Sequence, residues 1–130
     1  MEGRRTFISS PSSKKPVAAS ATPIGEFEQL VLLALIRLGD QAYGIPITEE
    51  IQRRAKRDVA LASVYKTLDR LEQKGLVAST LGPPTAARGG RRKKYFRLQP
   101  AGLQALKTSI RAIRNLASGL AYQLDPLEEE

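Results

Sequence analysis

Residues 61–77 have the sequence LASVYKTLDRLEQKGLV, which combines the pattern of an amphipathic helix with a helix stop and the start of a strand. Its large aliphatic residues recur at spacings of three and four, which predicts a helix over residues 61–74. These residues are Leu61, Val64, Leu68 and Leu71. Gly75 stands where a left-handed residue commonly ends a helix, and the alternating residues 76–81 then predict a strand.

The opposite side of this predicted helix is polar, with small side chains near its start and longer basic ones further along. To this side we assign Ala62, Ser63, Lys66, Thr67 and Arg70. A helix that enters the major groove of DNA needs small side chains for close approach and long donors for guanine edges and phosphates. Any amphipathic surface helix can carry a similar face, so this feature alone leaves both interpretations open.

A basic hairpin is predicted after this helix. Residues 76–81 and 93–98 form its two strands, and residues 82–92, GPPTAARGGRR, contain the glycines and prolines typical of a turn. Residues 83–98 hold six basic side chains and no acidic one, which indicates a surface for phosphates or for an adjacent minor groove. The candidate DNA-contacting residues of the hairpin are Arg88, Arg91, Arg92, Lys93 and Lys94.

Another helix is predicted near the start of the chain. It begins close to Ile24, carries a continuous apolar stripe from Phe27 to Leu38 and ends at Gly39. A second apolar face on the same helix consists of Leu32, Leu33 and Ile36. A helix that is apolar on two faces needs two partners, and we expect the second partner to be another subunit.

The next predicted helix opens at residues 43–46, with Pro46 in the first turn, where a missing N–H is tolerated. Its buried stripe consists of Ile47, Ile51 and Ala55. Four basic residues lie near its end: Arg53, Arg54, Lys56 and Arg57. They either compensate the helix dipole or contact phosphates, and the sequence leaves both interpretations open.

The last predicted helix begins near Pro100 and extends to the acidic end of the chain. Its apolar residues alternate at spacings of three and four: Leu103, Leu106, Ile110, Ile113, Ala117, Leu120 and Leu124. Such a seam is typical of pairing between helices. We predict a homodimer in which Leu32, Leu33, Ile36, Leu103, Leu106, Ile110, Ile113 and Leu120 contact the partner. Packing on the chain's own core is the alternative for this helix.

The composition narrows the classes of function. With 130 residues, the chain is long enough for a single core, and 21 basic against 13 acidic residues give a net charge of +8. The absence of cysteine and histidine excludes disulfides, cysteine-zinc sites and imidazole acid–base chemistry, and we expect no cofactor and no metal. No apolar run reaches the length of a membrane span, so we expect no membrane partner and a cytoplasmic location.

The charge and composition divide the chain into four parts. Residues 1–23 are rich in serine, proline, alanine and lysine and predict a flexible basic arm, which either tracks DNA or is a solvated leader. Residues 24–98 form a winged helix-turn-helix domain, and residues 99–124 form a dimerisation helix. Residues 125–130 form an acidic tail. The predicted fold class is therefore mainly α with a small β-hairpin, a winged helix-turn-helix plus a C-terminal dimerisation helix.

Several segments resemble the PadR family of bacterial transcriptional regulators. They are LLALI (32–36), AYGI (42–45), SVYKTLDRLEQKGLV (63–77), GGRRKKYFRL (89–98) and AG (101–102). The resemblance extends from about residue 24 to residue 120. It implies a homodimer built from the first and last helices, third helices that contact inverted-repeat operators, and hairpins ("wings") that contact the flanking backbone.

The resemblance also suggests roles for single residues. It implies that Tyr65 helps to place the third helix on the phosphates, whereas the residues alone equally predict a half-buried ring packed against the wing. Ala60 stands where the family often has serine, and Gln99 replaces a common threonine, so both helices that follow lack a side-chain N-cap. Because the chain has no tryptophan, it lacks the stacked-tryptophan drug pocket of some members.

We therefore predict a nucleoid-associated, cytoplasmic repressor that binds double-stranded DNA as a homodimer, and not an enzyme. The DNA-binding residues would be Ser63, Tyr65, Lys66, Thr67 and Arg70 of the third helix, together with the five basic residues of the hairpin. An unspecific nucleoid-type binder and a winged helix used for protein contacts are the alternatives. The sequence leaves open the operator, the regulated genes and the existence of a small-molecule effector. It also leaves open whether the protein represses or activates transcription.

Overall fold

The computed structural model describes residues 22–84 and 92–125, which form four main helices and one β-hairpin. The elements are α1 (Glu26–Leu38), a single 3-10 turn (Gly39–Gln41), α2 (Gly44–Ala55), α3 (Leu61–Gln73), β1 (Val77–Pro84), β2 (Arg92–Leu98), α4 (Pro100–Ala117) and α5 (Ala121–Leu124). The two strands pair antiparallel. The predicted fold class, mainly helical with a small hairpin, is confirmed. Residues 1–21, 85–91 and 126–130 lie outside the described residues, and with them nearly all of the predicted arm, Arg88, Arg91 and most of the acidic tail.

The core lies where α1, α2 and α3 meet the hairpin and the first turns of α4. Its fully buried large side chains are Val31, Leu32, Ile47, Val64, Leu68, Leu71 and Leu76. Phe96 of β2 and Leu106 of α4 join the same cluster. Burying each of these side chains contributes about 1.5–3 kcal/mol to folding, which is enough to fix how the three helices pack.

The burial of Leu32 differs from the prediction for the outward face of α1. It has no exposed surface in the single chain, so its assignment to the outward apolar face is wrong. Its neighbours Leu33 and Ile36 are 39% and 50% exposed, as predicted for that face. The prediction for Leu32 is wrong because α1 packs against three other helices and β2, and so buries a wider arc of its surface than one stripe.

The start of α1 is set by a glutamate three residues into the helix. Glu28 Oε1 accepts a hydrogen bond of 2.9 Å from the N–H of Gly25, which satisfies a backbone donor that has no partner within the helix. The helix therefore begins at Glu26, two residues later than the predicted start at Ile24. It ends at Gly39, whose φ of +59° favours glycine.

The hairpin is attached to the segment that precedes α2. The N–H of Phe96 donates to the carbonyl of Ala42 at 2.8 Å, and Tyr43 forms an antiparallel bridge with Tyr95. This short third extended segment was not predicted, because two residues are too few to show alternation. It fixes the side of the helices on which the hairpin stands.

The first strand of the hairpin is longer than predicted. It continues from Leu81 to Pro84, through residues that the sequence assigns to the turn, with an irregular register between Leu81 and Pro84. Prolines are tolerated here because the hairpin has only two strands, and an edge strand has N–H positions that need no partner. Arg92 Nε donates to the carbonyl of Gly82 at 2.8 Å and holds this extension against β2.

The C-terminal helix is shorter than predicted. Helix α4 ends at Ala117, and Gly119 has a φ of +84°, a conformation that breaks the helix before the short α5 begins at Ala121. The apolar seam is therefore interrupted before Leu120, which lies between the two helices. No helix in residues 22–84 and 92–125 is long and apolar enough to cross a membrane.

Candidate nucleic-acid interface

The outward side of α3 presents a row of polar and basic side chains. Ser63, Lys66 and Arg70 are exposed and follow one another at spacings of three and four residues, which places them along one side of the helix. The predicted positions of these three side chains on the outer face are confirmed. Short Ser63 lies in the first turn, and the two long cations follow it.

Thr67 does not belong to this row. Only 4% of its surface is exposed, so its predicted position on the outer face is wrong. The residue lies beside Leu68 and Leu71 on the side of α3 that packs against the other helices. A small side chain at the edge of the buried stripe can be covered by a neighbouring helix, and periodicity alone does not reveal this.

Tyr65 lies on the other flank of α3 and packs against the start of α2. A Cβ atom placed on Gly44 would overlap the phenol ring of Tyr65, so the two side-chain positions are mutually dependent. The residue as a whole is 39% exposed. One packing partner of Tyr65 is therefore the first residue of α2, and its packing against the wing stays a prediction.

Of the five candidate DNA-contacting residues of the hairpin, three lie within the described residues. Arg92 and Lys94 are exposed, whereas Lys93 is half-buried. The Lys93 ammonium lies 4.5 Å from the centre of the Tyr43 ring and 3.4 Å from its hydroxyl oxygen. Tyr43 also packs edge-on against Tyr95, with ring centres 5.3 Å apart. Lys93 is thus engaged by the protein, while the other two are more accessible.

Glu72 connects α3 to the hairpin. Its Oε2 accepts a hydrogen bond of 2.7 Å from the Ser79 hydroxyl, and its Oε1 lies 3.9 Å from the Lys94 ammonium. These contacts join the wing to α3. Sequence reasoning missed the role of Glu72, because a glutamate on a helix surface has no pattern that reveals a partner beyond the turn.

Glu28 forms a similar contact on the opposite flank of α3. Its carboxylate lies 3.0 Å from the Lys74 ammonium and 3.9 Å from the Arg70 guanidinium, although only 6% of the residue is exposed. Burial by itself raises the pKa of Glu28, but the Gly25 N–H, Lys74 and Arg70 outweigh it, and the pKa is lowered from its ordinary value. This buried acid was also not predicted.

The basic residues at the end of α2 have partners within the chain. Arg54 Nε lies 2.7 Å from a Glu50 carboxylate oxygen, and Arg53 pairs with the same side chain. Arg57 forms two hydrogen bonds of 2.9 and 3.1 Å with Glu26, which lower the pKa of that carboxyl. Three of the four cations are therefore engaged within the chain, and this favours their structural role over phosphate contact.

A comparison with known protein families identifies the chain. Residues 32–108, more than half of its length, match the transcriptional regulator PadR-like family. The chain is a member of the PadR family. This confirms the resemblance stated above, and the family consists of transcriptional regulators and not of enzymes.

Known proteins agree with this assignment. The chain is 35% identical over 78 residues to the transcriptional regulator Rv3488 of Mycobacterium tuberculosis, which covers 60% of this chain and 68% of that protein. A PadR family regulator from Eggerthella lenta has 26% identity and a TM-score of 0.58, covering 78% of this chain and 88% of that chain. A PadR-like regulator from Bacillus cereus shares the fold, with 19% identity, a TM-score of 0.61 and coverage of 78% and 93%.

The structure explains two motifs of this PadR protein. In AYGI, Ala42 and Tyr43 hold the hairpin, and Gly44 leaves room for Tyr65. In the second motif, a Cβ on Gly102 would overlap the carbonyl oxygen of Leu76, which also accepts the N–H of Gln99 at 2.9 Å. Both glycines permit a close approach between elements.

Only some of the predicted dimerisation residues of the PadR chain are exposed. Leu33 and Ile36 of α1 and Leu103 of α4 are exposed and line a groove of about 370 Å³ between α1 and α4. Ile113 of α4 is also exposed. Leu106 and Ile110 also line this groove, but Leu106 is 3% exposed and packs chiefly in its own core. Ala60 and Gln99 provide no side-chain cap to α3 and α4, as predicted.

Among the described residues, no three aspartates or glutamates lie close enough together to hold a metal ion. The exposed surface of α3 and the hairpin carries hydrogen-bond donors and positive charge. We refer to Ser63, Lys66, Arg70, Arg92 and Lys94 together as the basic face.

Proposed function

We propose that this PadR regulator binds duplex DNA sequence-specifically as a homodimer and represses transcription from an inverted-repeat operator. The observation that carries the proposal is the basic face itself. The exposed row Ser63, Lys66 and Arg70 lies on α3, and Glu72 on another flank of the same helix contacts the cationic hairpin.

The two parts of the basic face would have different tasks. Lys66 and Arg70 are long donors beside a short residue, which suits hydrogen bonds to base edges in the major groove. Arg92 and Lys94 on the hairpin would neutralise phosphates and supply affinity that does not depend on sequence. The hairpin residues Arg88 and Arg91 would add to this contribution.

The groove between α1 and α4 supports the dimer in the proposal. Exposed apolar residues that line one concave surface mark an interface more often than chance exposure does. In a two-fold dimer joined there, two copies of α3 would be presented to the same side of a duplex. Half-sites would then lie about one helical turn apart, or roughly 34–36 Å.

A small-molecule effector that releases DNA is a further part of the proposal. A second groove, of about 330 Å³, lies between α1 and α2. Leu30, Leu33, Ala34 and Ile51 provide apolar lining, while Arg37 and Arg54 provide donors. Its volume is within the range of small-molecule sites. Thermal denaturation against a panel of metabolites tests this, and a ligand that both stabilises the protein and weakens DNA binding supports it.

Selection from a random pool of duplexes tests DNA recognition. The wild-type protein should enrich an inverted repeat, and Lys66→Ala should lose about 1–3 kcal/mol of discrimination at one base pair of each half-site. Arg92→Ala should weaken the selected and a scrambled duplex equally, and should lower the salt slope by about 0.9 for each lost phosphate contact, or about 1.8 for the two hairpins of a dimer. Arg37→Ala, which removes a cation from α1, is the matched control and should change neither.

Two outcomes would contradict the proposal. Salt-dependent affinity without an enriched sequence would instead support an unspecific nucleoid-type binder. The absence of salt-dependent affinity for any duplex would instead support a winged helix used for protein contacts.

A further inference from the structure

We infer that Glu28 and Glu72 determine specificity by holding cations of the basic face away from DNA that does not fit α3 closely. This inference rests on the proposed DNA-binding function. It concerns two acids that stand on opposite flanks of α3 and whose partners include members of the basic face.

Glu28 acts on the flank that faces α1. Its nearly buried carboxylate is held in place by the Gly25 N–H at 2.9 Å and the Lys74 ammonium at 3.0 Å. The Arg70 guanidinium lies further away, at 3.9 Å, and its side chain is 52% exposed. The acid is therefore fixed, whereas Arg70 is close enough to be attracted and exposed enough to leave.

Glu72 acts on the flank that faces the hairpin. The Ser79 hydroxyl fixes this carboxylate with a hydrogen bond of 2.7 Å. The Lys94 ammonium lies at 3.9 Å, and its side chain is 44% exposed. The geometry on the two flanks is thus alike: a short hydrogen bond holds the acid, and a longer separation joins it to a cation of the basic face.

The physical consequence differs between loose and close complexes. In a loose, hydrated complex, a phosphate attracts Arg70 or Lys94 while the fixed carboxylate retains that cation and repels the phosphate. Screening over about 10 Å at 0.1 M salt leaves this repulsion effective at such short distances. In a close complex, direct charge-assisted hydrogen bonds are short and strong enough to compensate for the acid. The carboxylates therefore weaken unspecific binding more than specific binding.

Glu72→Gln tests the inference, because glutamine keeps the size of the side chain and Glu72 is partly exposed. Fluorescence anisotropy would measure the affinity for a selected duplex and for a scrambled duplex of equal length, between about 50 and 200 mM salt. We expect the affinity for the scrambled duplex to rise about two- to tenfold at low salt, with a salt slope steeper by about 0.9 for each released cation, or about 1.8 for the two subunits of a dimer. The affinity for the selected duplex should rise less, so the ratio of the two affinities falls.

Two further variants separate this effect from others. Asp125→Asn makes the same change in net charge at an exposed residue beyond α5 and should leave the ratio unchanged. Glu72→Asp keeps the charge and should stay close to the wild-type ratio. Glu28→Gln should lower the ratio in the same direction as Glu72→Gln, by releasing Arg70.

The outcomes distinguish this inference from the function on which it rests. If the wild-type protein binds no duplex, the proposed function itself fails. If the wild-type protein binds but Glu72→Gln leaves the ratio unchanged, or weakens both complexes with a flatter salt slope, the inference alone is wrong. A fall in the ratio for Asp125→Asn of equal size would also overturn it, since total charge would then be the cause.

Discussion

Gly102 shows how one missing side chain positions a whole helix. The first turn of α4 lies so close to the backbone of Leu76 that a Cβ on Gly102 would overlap its carbonyl oxygen. That oxygen already accepts the N–H of Gln99 at 2.9 Å, so it has little freedom to move away. Backbone contacts of this kind tolerate no added atom without a shift of the helix.

Gly102→Ala should therefore destabilise the protein by about 1–3 kcal/mol, because α4 must move off the base of the hairpin. Urea denaturation measures the change. Gly25→Ala is the matched control, since a Cβ there meets nothing within 4 Å, and it should cost much less. Equal costs for the two variants would contradict the assigned contact.

Glu28 gives stability a dependence on pH. Because its pKa is lowered in the folded protein, its ionised form is stabilised by folding, and this stability is present above the ordinary value of 4.5. It is lost as the pH falls through the lowered pKa. Glu28→Gln should therefore be less stable than the wild type at neutral pH, and the difference should shrink below about pH 4.5. A difference that stays constant in urea denaturation across this range would contradict the account.

At the residue level, the sequence predicted the exposed row on α3 but not the acids beside it. Ser63, Lys66 and Arg70 follow from the phase of the helix, which the large aliphatic residues define. Thr67 was placed wrongly because it lies at the edge of the buried stripe. The roles of Glu28 and Glu72 depend on which elements meet in space, and no local pattern contains that information.

At the level of elements, the hairpin depends on a pair of aromatic rings. Tyr95 packs edge-on against Tyr43, and a Cβ on Gly82 would lie 2.7 Å from its ring. Together with the hydrogen bond from Phe96 to Ala42, these contacts hold β2 against the segment before α2. The sequence predicted both strands but not this attachment, and it also missed the break at Gly119, since an apolar seam can continue in phase across a helix end.

Tyr95→Ala should remove this attachment and cost about 1–3 kcal/mol in stability, because the variant loses both buried area and the edge-on contact. Hydrogen exchange should show that the substitution accelerates exchange more at the amide of Phe96 than at the amides of α3. Arg97→Ala, at an exposed residue on the same strand, should leave both measurements nearly unchanged. Unchanged protection of Phe96 in Tyr95→Ala would show that the rings do not hold the wing.

At the level of the whole molecule, the groove between α1 and α4 should determine the oligomeric state. The double variant Leu33→Glu with Ile36→Glu places two charges on the proposed interface, and burying an unpaired charge is strongly unfavourable. Analytical ultracentrifugation should show a dimer for the wild type and a monomer for the variant. Ile45→Glu, at a residue with the same 39% exposure as Leu33, should remain dimeric. A monomeric wild type would contradict the two-fold arrangement.

The claim that α3 enters the major groove of an operator in two symmetric copies has a direct test. Because the chain contains no cysteine, Ser63→Cys introduces a single thiol on the outer face of α3, to which an iron chelate that cleaves nearby DNA can be attached. Asn115→Cys, at an exposed residue of α4, is the control and should give no localised cleavage. On a selected operator, the label at Ser63 should cleave two patches related by two-fold symmetry, about one helical turn or roughly 34–36 Å apart. Even cleavage along the duplex, or none from labelled protein that still binds, would contradict the account.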